Sequence, residues 1–295
     1  MPTLEQAILS TIAYADIYQY PLTWPEVHRY LAELKASPAD VHASLDQMMQ
    51  AGWLDCLAGY YTLPGRTDLV FVRQFRRRTS ANLWPAALRY GQWISRLPFV
   101  RMVAVTGSLS MDNAEHGADL DYLVVTRPGR LWLARAMVIL VVRLAALRGV
   151  KLCPNYFLSE DALALEERNL FTAHELAQMA PLFGMQVYAR MRRLNRWVED
   201  YLPNLGESWQ ISASPLARTS IFQRTGELIL KYPFFDLLER WEMRRKMRKF
   251  SKLSGDHPEA AFDASRCKGH FDDHERAALE AYRERSQILQ EDLGR

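Results

Sequence analysis

The sequence predicts an α/β protein of the α+β kind, with a small mixed sheet set between helical segments. Three observations lead to this prediction. Helical patterns dominate both ends of the chain, two short apolar runs (VAVT and YLVVT) lie close together near its middle, and a third strand candidate follows one long apolar helix. The predicted divisions are residues 1–65, 66–160 and 161–295.

Composition limits the class of protein. With 295 residues, 49% of them hydrophobic, the chain can bury a sizeable core and exceeds the usual length of one domain. Cys56, Cys153 and Cys267 are far apart and form no CxxC pair, which argues against a disulfide framework and a zinc ribbon. The first residues show no secretory signal pattern, and we therefore expect a cytoplasmic protein.

Residues 4–63 predict three helices followed by a hairpin. LEQAILSTIAYADIY has helical apolar spacing, TWPEVHRYLAEL begins with a threonine cap and an early proline, and SPADVHASLDQMMQAGWL begins with Ser37 as N-cap and Pro38 at the first helical position. WLDC and YYTL pair as strands across residues 57–59. This order of elements resembles a winged-helix domain.

The charge of this segment argues against DNA binding. Residues 1–65 contain seven acids and two bases, and the third predicted helix contains neither arginine nor lysine. Because phosphate contacts supply much of the affinity for DNA, we expect a structural or protein-contact role ahead of DNA binding. Residues 66–101 hold eight arginines against one acid, and a second basic run occupies residues 240–252. Both are more simply explained as solvated faces, although an anionic partner is the alternative.

The middle of the chain alternates helices and strands. Residues 79–97 predict a helix interrupted near Pro85, FVRMVAVT predicts a strand, and DLDYLVVT predicts the next. The apolar stretch 131–150 is broken by three arginines and predicts a buried helix rather than a membrane span, so no membrane partner is expected. KLCPNYFLS, residues 151–159, is the third strand, and Pro154 indicates an edge position or a bulge.

Beyond Ser159 nearly everything has a helical pattern. Near the end, CKGHFDDHE is better explained as the start of a helix than as a zinc site built from His270 and His274.

Two aspartates mark the start of the DLDYLVVT strand. Strand alternation places Asp119 and Asp121 on one face, where two carboxylates repel each other unless a cation lies between them. Magnesium suits this arrangement because it takes oxygen ligands and commonly joins one or two carboxylates to substrate phosphates. Gly107 permits close backbone approach to a phosphate, and Ser108 offers a hydroxyl and a backbone N–H. These residues predict a site for a metal–nucleotide complex.

The pattern AVT-Gly107-Ser108, a spacer of ten residues and Asp119-Leu120-Asp121 resembles the DNA polymerase beta-like nucleotidyltransferase superfamily over residues 99–158. The resemblance implies a small mixed-sheet nucleotidyltransferase core that uses Mg²⁺ (or Mn²⁺) and a nucleoside triphosphate as substrate. It implies that Asp119 and Asp121 bind metal and act in catalysis, and that Gly107 and Ser108 hold the outgoing phosphates. Arg135, early in the next helix, is a candidate triphosphate contact, although a buried helix arginine with its charge at the surface is the simpler explanation.

Members of this superfamily usually carry a third carboxylate on the next strand, and KLCPNYFLS has none. Asn155 is the nearest counterpart, and Glu160 or Asp161 could substitute by reaching back. The leading prediction is a nucleotidyltransferase that moves a nucleoside monophosphate to an unidentified hydroxyl on a small molecule, a protein or an RNA. The alternatives are a catalytically inactive nucleotide-binding or scaffold protein and a DNA-binding regulator.

Overall fold

The structure is a computed structural model that describes residues 2–206, 220–230, 232–253, 262–268 and 274–293. It is a mixed α/β structure, and this confirms the predicted α+β class. Residue 270 of the predicted zinc alternative lies outside the described residues.

Residues 4–62 form three helices and a three-stranded antiparallel sheet of order β1-β3-β2. The elements are α1 (Leu4–Ile17), β1 (Leu22–Thr23), α2 (Trp24–Arg29), α3 (Pro38–Gln50), β2 (Asp55–Leu57) and β3 (Tyr60–Thr62). Ser37 caps α3 by accepting a hydrogen bond from the Asp40 backbone, and Pro38 follows it, as the sequence predicts. The helices enclose a core that includes Ile8, Val27 and Leu45.

A long helix, α4 (Leu69–Ser95), leads into a five-stranded sheet. The next elements are β4 (Val100–Val105), α5 (Gly107–Ser110), β5 (Leu120–Thr126), α6 (Leu131–Ala146), β6 (Leu152–Ser159), α7 (Leu170–Gln178) and β7 (Ala180–Phe183). They are followed by α8 (Met185–Leu194), α9 (Val198–Tyr201), a 3₁₀ turn (Pro203–Leu205), α10 (Ile221–Ile229), α11 (Pro233–Leu253), β8 (Arg266–Lys268) and α12 (His274–Leu293). The strand order is β7-β4-β5-β6-β8.

Only the β5–β6 pair is parallel among the described strands, and α6 makes its crossover. Helices cover both faces of the sheet. Residues of α4, α6 and α11 pack on one face around Trp132 and Tyr90, which we call the α6 face. Residues of α1, α7, α8, α9 and α12 pack on the other around Leu123 and Leu176, which we call the α7 face.

The interruption predicted near Pro85 is wrong. Helix α4 runs unbroken through Pro85. The proline has no N–H and so leaves one helix carbonyl without its partner. The packing of Ala87, Tyr90 and Ile94 on the sheet offsets this cost. The region after Ser159 is not all helical, since β7 and β8 come from it and flank the sheet. The predicted division at residue 160 therefore runs through one sheet.

Pro154 lies at a bulge and not on an edge strand. Tyr122 pairs with Pro154 and Leu123 pairs with Tyr156, so Asn155 is the extra residue on β6. On its other side β6 pairs with β8 over Tyr156, Phe157 and Leu158. Pro154, which has no N–H to donate, therefore lies where the hydrogen-bond ladder between β5 and β6 is already interrupted.

Helix α6 packs on the sheet through residues that include Leu131, Trp132 and Val138, as predicted for this apolar stretch. Among the described residues, no helix combines the length and the apolar content needed to cross a bilayer.

Candidate functional site

The Gly-Ser turn and the aspartate pair meet at one end of β4 and β5. The backbone N–H of Thr106 donates to the Asp121 carbonyl at 3.1 Å. Gly107 has φ +64°, and a Cβ atom there would lie 2.5 Å from Asp121 Oδ2. The glycine therefore lets the turn rest directly against the carboxylate.

Asp119 and Asp121 open into the same cavity on the α7 face of the sheet. Leu120 and Tyr122 point to the α6 face, as strand alternation requires. The cavity has a volume of about 750 Å³, and Gly107 and Ser108 also line it. The Asp119 side chain is 48% exposed and lies 3.8 Å from Lys151 Nζ.

Asn155 contacts the second aspartate directly. Its Nδ2 donates to Asp121 Oδ1 at 2.7 Å, and its Oδ1 accepts from Cys153 Sγ at 2.6 Å. Burial, followed by the charges of Asp121 and Asp119, raises the pKa of the Cys153 thiol to about 11, which keeps it a donor. Asn155 thus orients Asp121 through its amide N–H, while its oxygen accepts from the thiol.

Glu160 and Asp161 lie at the wrong end of the strand to replace the missing carboxylate. The Glu160 N–H donates to Thr126, at the far end of β5, and its carboxylate lies 3.9 Å from Arg190 and 4.0 Å from Arg101. Asp121 pairs with Cys153 in the register, seven residues earlier than Glu160, which corresponds to about 20 Å along the strand. The hypothesis that either acid reaches back is wrong for this reason.

Arg135 does not line the cavity. It lies on α6, and its guanidinium is 5.7 Å from the Phe157 ring centroid and 6.0 Å from that of Trp132, both on the α6 face. The sheet separates it from Asp121. The sequence places Arg135 near the start of the helix that follows the DLDYLVVT strand. It does not show which face of the sheet that helix covers.

Several charged residues in the cavity were missed by sequence reasoning. Lys268 of β8 lies 3.0 Å from Glu167 and 3.1 Å from Glu275 of α12, and these three line the cavity with Glu175 of α7. Burial lowers the pKa of Lys268, but the two carboxylates outweigh it and raise the pKa overall. The site thus holds a firmly charged ammonium group.

Glu175 also shares this environment. Burial and the nearby charge of Asp121 raise its pKa to about 7, against the opposing effect of Lys268. The sequence gives only a weak indication that Glu175 is functional: His174 and Glu175 are the titratable residues of the helix LFTAHELAQ. Nothing in that pattern says which cavity they face.

The donor set suits a metal that arrives with phosphate better than a resident metal. Within the described ranges, no group of three or more histidine, cysteine, aspartate or glutamate side chains is arranged to hold an ion. Two carboxylates on one strand face, open to a cavity of about 750 Å³, match the way Mg²⁺ is shared between protein and substrate phosphates. The arrangement fits a magnesium–nucleotide complex.

Comparison of the chain with protein-family models, curated proteins and solved structures gives no match.

Proposed function

We propose that the protein transfers a nucleoside monophosphate from a nucleoside triphosphate to a hydroxyl acceptor. The proposal includes a polymerase beta-like core built on β4, β5 and β6 and a winged-helix module over residues 4–62. One observation carries it: Gly107 lies so close to Asp121 that an added Cβ would be 2.5 Å from Oδ2, and Asp119 opens into the same cavity. The motif residues therefore converge as a phosphate site requires.

In this proposal Asp119 and Asp121 hold Mg²⁺ or Mn²⁺, and the metal supplies positive charge that offsets the charge of the phosphates. Gly107 and Ser108 bind the departing phosphates, and Lys268, which is already paired with Glu167 and Glu275, lines the same cavity. Asn155 keeps Asp121 in place through its 2.7 Å hydrogen bond.

Isothermal titration tests the proposal. Each of the four nucleoside triphosphates, with magnesium, is titrated into wild type and into Asp119→Asn/Asp121→Asn. We expect magnesium-dependent binding of at least one nucleotide to wild type and its loss in the variant. Glu160→Gln/Asp161→Asn is the matched control, because it removes two acids from the opposite end of the sheet and leaves binding intact. Absence of binding to wild type overturns the proposal.

A second candidate function is nucleotide binding without catalysis. Asn155 favours it, because an amide stands beside Asp121 where the superfamily usually has a carboxylate. Pyrophosphate release separates the two: an enzyme releases pyrophosphate when an acceptor is present, whereas a binding protein holds the nucleotide unchanged.

A further inference from the structure

A second, smaller cavity lies between the N-terminal helices and α7. Its volume is about 150 Å³, and four tyrosines from one side line it: Tyr14, Tyr18, Tyr20 and Tyr30. Phe171 and His174 of α7 also line it. Six of the fifteen residues that line the cavity therefore carry rings.

The two cavities meet at the Gly-Ser turn. Five residues line both of them: Tyr18, Gly107, Ser108, Phe171 and Glu175. A molecule in the small cavity would therefore face the place that the proposed function gives to the triphosphate.

The ring walls are held in fixed positions. Tyr20 Oη donates to the Met111 carbonyl at 2.9 Å, and Tyr14 stacks on His174 with ring centroids 4.2 Å apart. Burial lowers the pKa of His174 to about 3, so the ring is neutral. A preformed wall of this kind binds a ring without first having to order its own side chains.

The charges of the small cavity disfavour a polyanion that brings no metal ion of its own. Neither lysine nor arginine is among its lining residues, and Glu175 is the acid that lines it. A phosphate chain or an RNA end would lack a cation to pair with and would be repelled by Glu175. A neutral ring compound with few polar groups matches both the lining and the volume.

We propose that the small cavity is the acceptor site and that it takes a neutral, ring-bearing hydroxyl compound. This assignment rests on the proposed function. The acceptor oxygen forms a bond to the α-phosphorus, the bond from that phosphorus to the bridging oxygen breaks, and pyrophosphate leaves with the electron pair. The hydroxyl proton passes to the carboxylate of Glu175, which lines both cavities.

Plugging the small cavity tests the assignment. Ala15 lines it and is 8% exposed, whereas Ala32, 5% exposed in the same module, lines a separate cavity. Ala15→Phe is therefore compared with Ala32→Phe and with wild type, all as the full chain. Benzyl alcohol is the neutral probe and benzoate the anionic one, and binding is followed by NMR titration. The four nucleoside triphosphates with magnesium are titrated into the same samples.

We expect benzyl alcohol to bind wild type and Ala32→Phe, and to bind Ala15→Phe at least tenfold more weakly. Benzoate should bind wild type at least tenfold more weakly than benzyl alcohol. Nucleotide affinity should be the same in all three proteins. Met111→Trp, which fills the cavity from another wall, replaces Ala15→Phe if melting curves show that the latter does not fold.

Three results overturn the assignment while leaving the proposed function intact. The first is equal benzyl alcohol binding in the plugged variant, and the second is equal binding of benzoate and benzyl alcohol to wild type. The third is a loss of nucleotide affinity in Ala15→Phe that matches its loss of benzyl alcohol affinity, which would place the nucleobase in the small cavity. Failure of every nucleotide to bind wild type overturns the proposed function and the acceptor assignment together.

Discussion

Gly107 is the residue on which the candidate site depends most directly. Its φ of +64° is unfavourable for other residues, and its missing Cβ leaves room for Asp121 Oδ2. Gly117 has a φ of +77° with nothing within 4 Å of the same position. Substituting each glycine therefore separates the free-energy cost of a left-handed backbone, present at both positions, from that of the contact with Asp121, present only at Gly107.

We expect Gly107→Ala and Gly117→Ala each to lose about 1 to 2 kcal/mol of unfolding free energy, because both have a left-handed backbone. Only Gly107→Ala should also displace Asp121 and weaken magnesium–nucleotide binding at least tenfold. Urea unfolding and calorimetric titration measure the two effects. Equal nucleotide affinity in both variants would contradict the close fit as the reason for glycine at 107.

Glu175 and His174, neighbours on α7, change the stability of the fold in opposite directions as the pH falls. Burial raises the pKa of Glu175 from about 4.5 to about 7, so the folded state binds its proton more tightly than the unfolded state, and stability from this group is gained as pH falls from 7 to 4.5. Burial lowers the pKa of His174 from 6.5 to about 3, so stability from this group is lost as pH falls below 6.5. The two effects partly cancel in the wild type.

Glu175→Gln should uncouple this balance. Without divalent ions at pH 8, the variant should be more stable than wild type by on the order of 1 to 3 kcal/mol, because it no longer buries a charge. By pH 5 the difference should approach zero, since wild-type Glu175 is then protonated. Urea unfolding across this range measures it, with the exposed Glu284→Gln as control. A difference that does not depend on pH would contradict the raised pKa.

At the residue scale, the residues of the motif were predictable from the sequence, and the charged residues around them were not. Strand alternation places Asp119 and Asp121 on one face, and the resemblance to the superfamily pairs them with Gly107 and Ser108, which line the same cavity. Lys268 comes from a three-residue strand far along the chain, and only the pairing of Tyr156 with Lys268 brings it to the cavity. Tertiary pairing of that kind leaves no local pattern.

Among the elements, the β6 bulge decides what stands beside Asp121. The bulge places Asn155 so that its amide reaches Asp121. Asn155→Asp would put there the carboxylate that the superfamily usually has. The stability of this variant with and without magnesium tests whether a carboxylate at this position helps to hold the ion.

Without magnesium, Asn155→Asp should be less stable than wild type by about 2 kcal/mol, because a charged hydrogen bond is replaced by repulsion. Magnesium should raise its melting temperature more than that of wild type, since it binds the folded state preferentially. Thermal melts with and without magnesium check both effects. Asn82→Asp, which adds the same charge at an exposed position of α4, should show neither.

Helix α4 joins the N-terminal module to the sheet through buried arginine contacts. Arg73 is 9% exposed in its side chain, lies 2.6 Å from Glu26 and stacks 3.8 Å from the Tyr20 ring centroid. It also donates to the Pro21 carbonyl. The contacts explain part of the arginine-rich composition of residues 66–101.

Arg73→Met should reduce the unfolding free energy by about 3 kcal/mol, because it leaves the partly buried carboxylate of Glu26 without its partner. Combining it with Glu26→Gln should cost less than the sum of the single variants, by more than 1 kcal/mol. Urea unfolding of the four proteins gives this coupling energy. Additive losses would show that the pair contributes little, and the exposed Arg77→Met should stay within 0.5 kcal/mol of wild type.

Helices with caps and the central strands were predictable, whereas short or interrupted elements were not. Ser37 and Pro38 fix the start of α3 by local chemistry. β7 and β8 have four and three residues and gain their stability from the strands beside them. The local sequence around Pro85 predicts a break in the helix, and packing on the sheet overrides that local preference.

Across the whole molecule, the acidic module and the basic stretch neutralise each other in part. Asp16 of α1 lies 3.1 Å from Arg285 of α12 and also pairs with Arg66, while Glu26 pairs with Arg73. The charge division in the sequence is therefore at least partly an internal contact between segments. This use of charge fits the expected structural role of the module better than DNA binding.

We expect α3 to contribute nothing to binding of duplex DNA. Asp40→Asn/Asp46→Asn should leave the affinity unchanged in fluorescence anisotropy, because α3 offers no cation to phosphate. Any binding should come from the basic helix α11 and should disappear in Arg244→Gln/Arg248→Gln. A change in affinity confined to the α3 variant would favour the DNA-binding alternative.

The large cavity takes its walls from Ile17 near the beginning of the chain, Asp121 in the middle and Ala278 close to the last residues. A ribosome working at roughly 5 to 20 residues per second exposes the aspartates on the order of 10 s before α12 has emerged. During that interval the nascent chain carries the acids without Lys268 or the α12 wall. Under the proposed function, a product of premature termination before residue 268 lacks Lys268 and the α12 wall, and we expect it to bind magnesium–nucleotide more weakly than the full chain even with its motif intact.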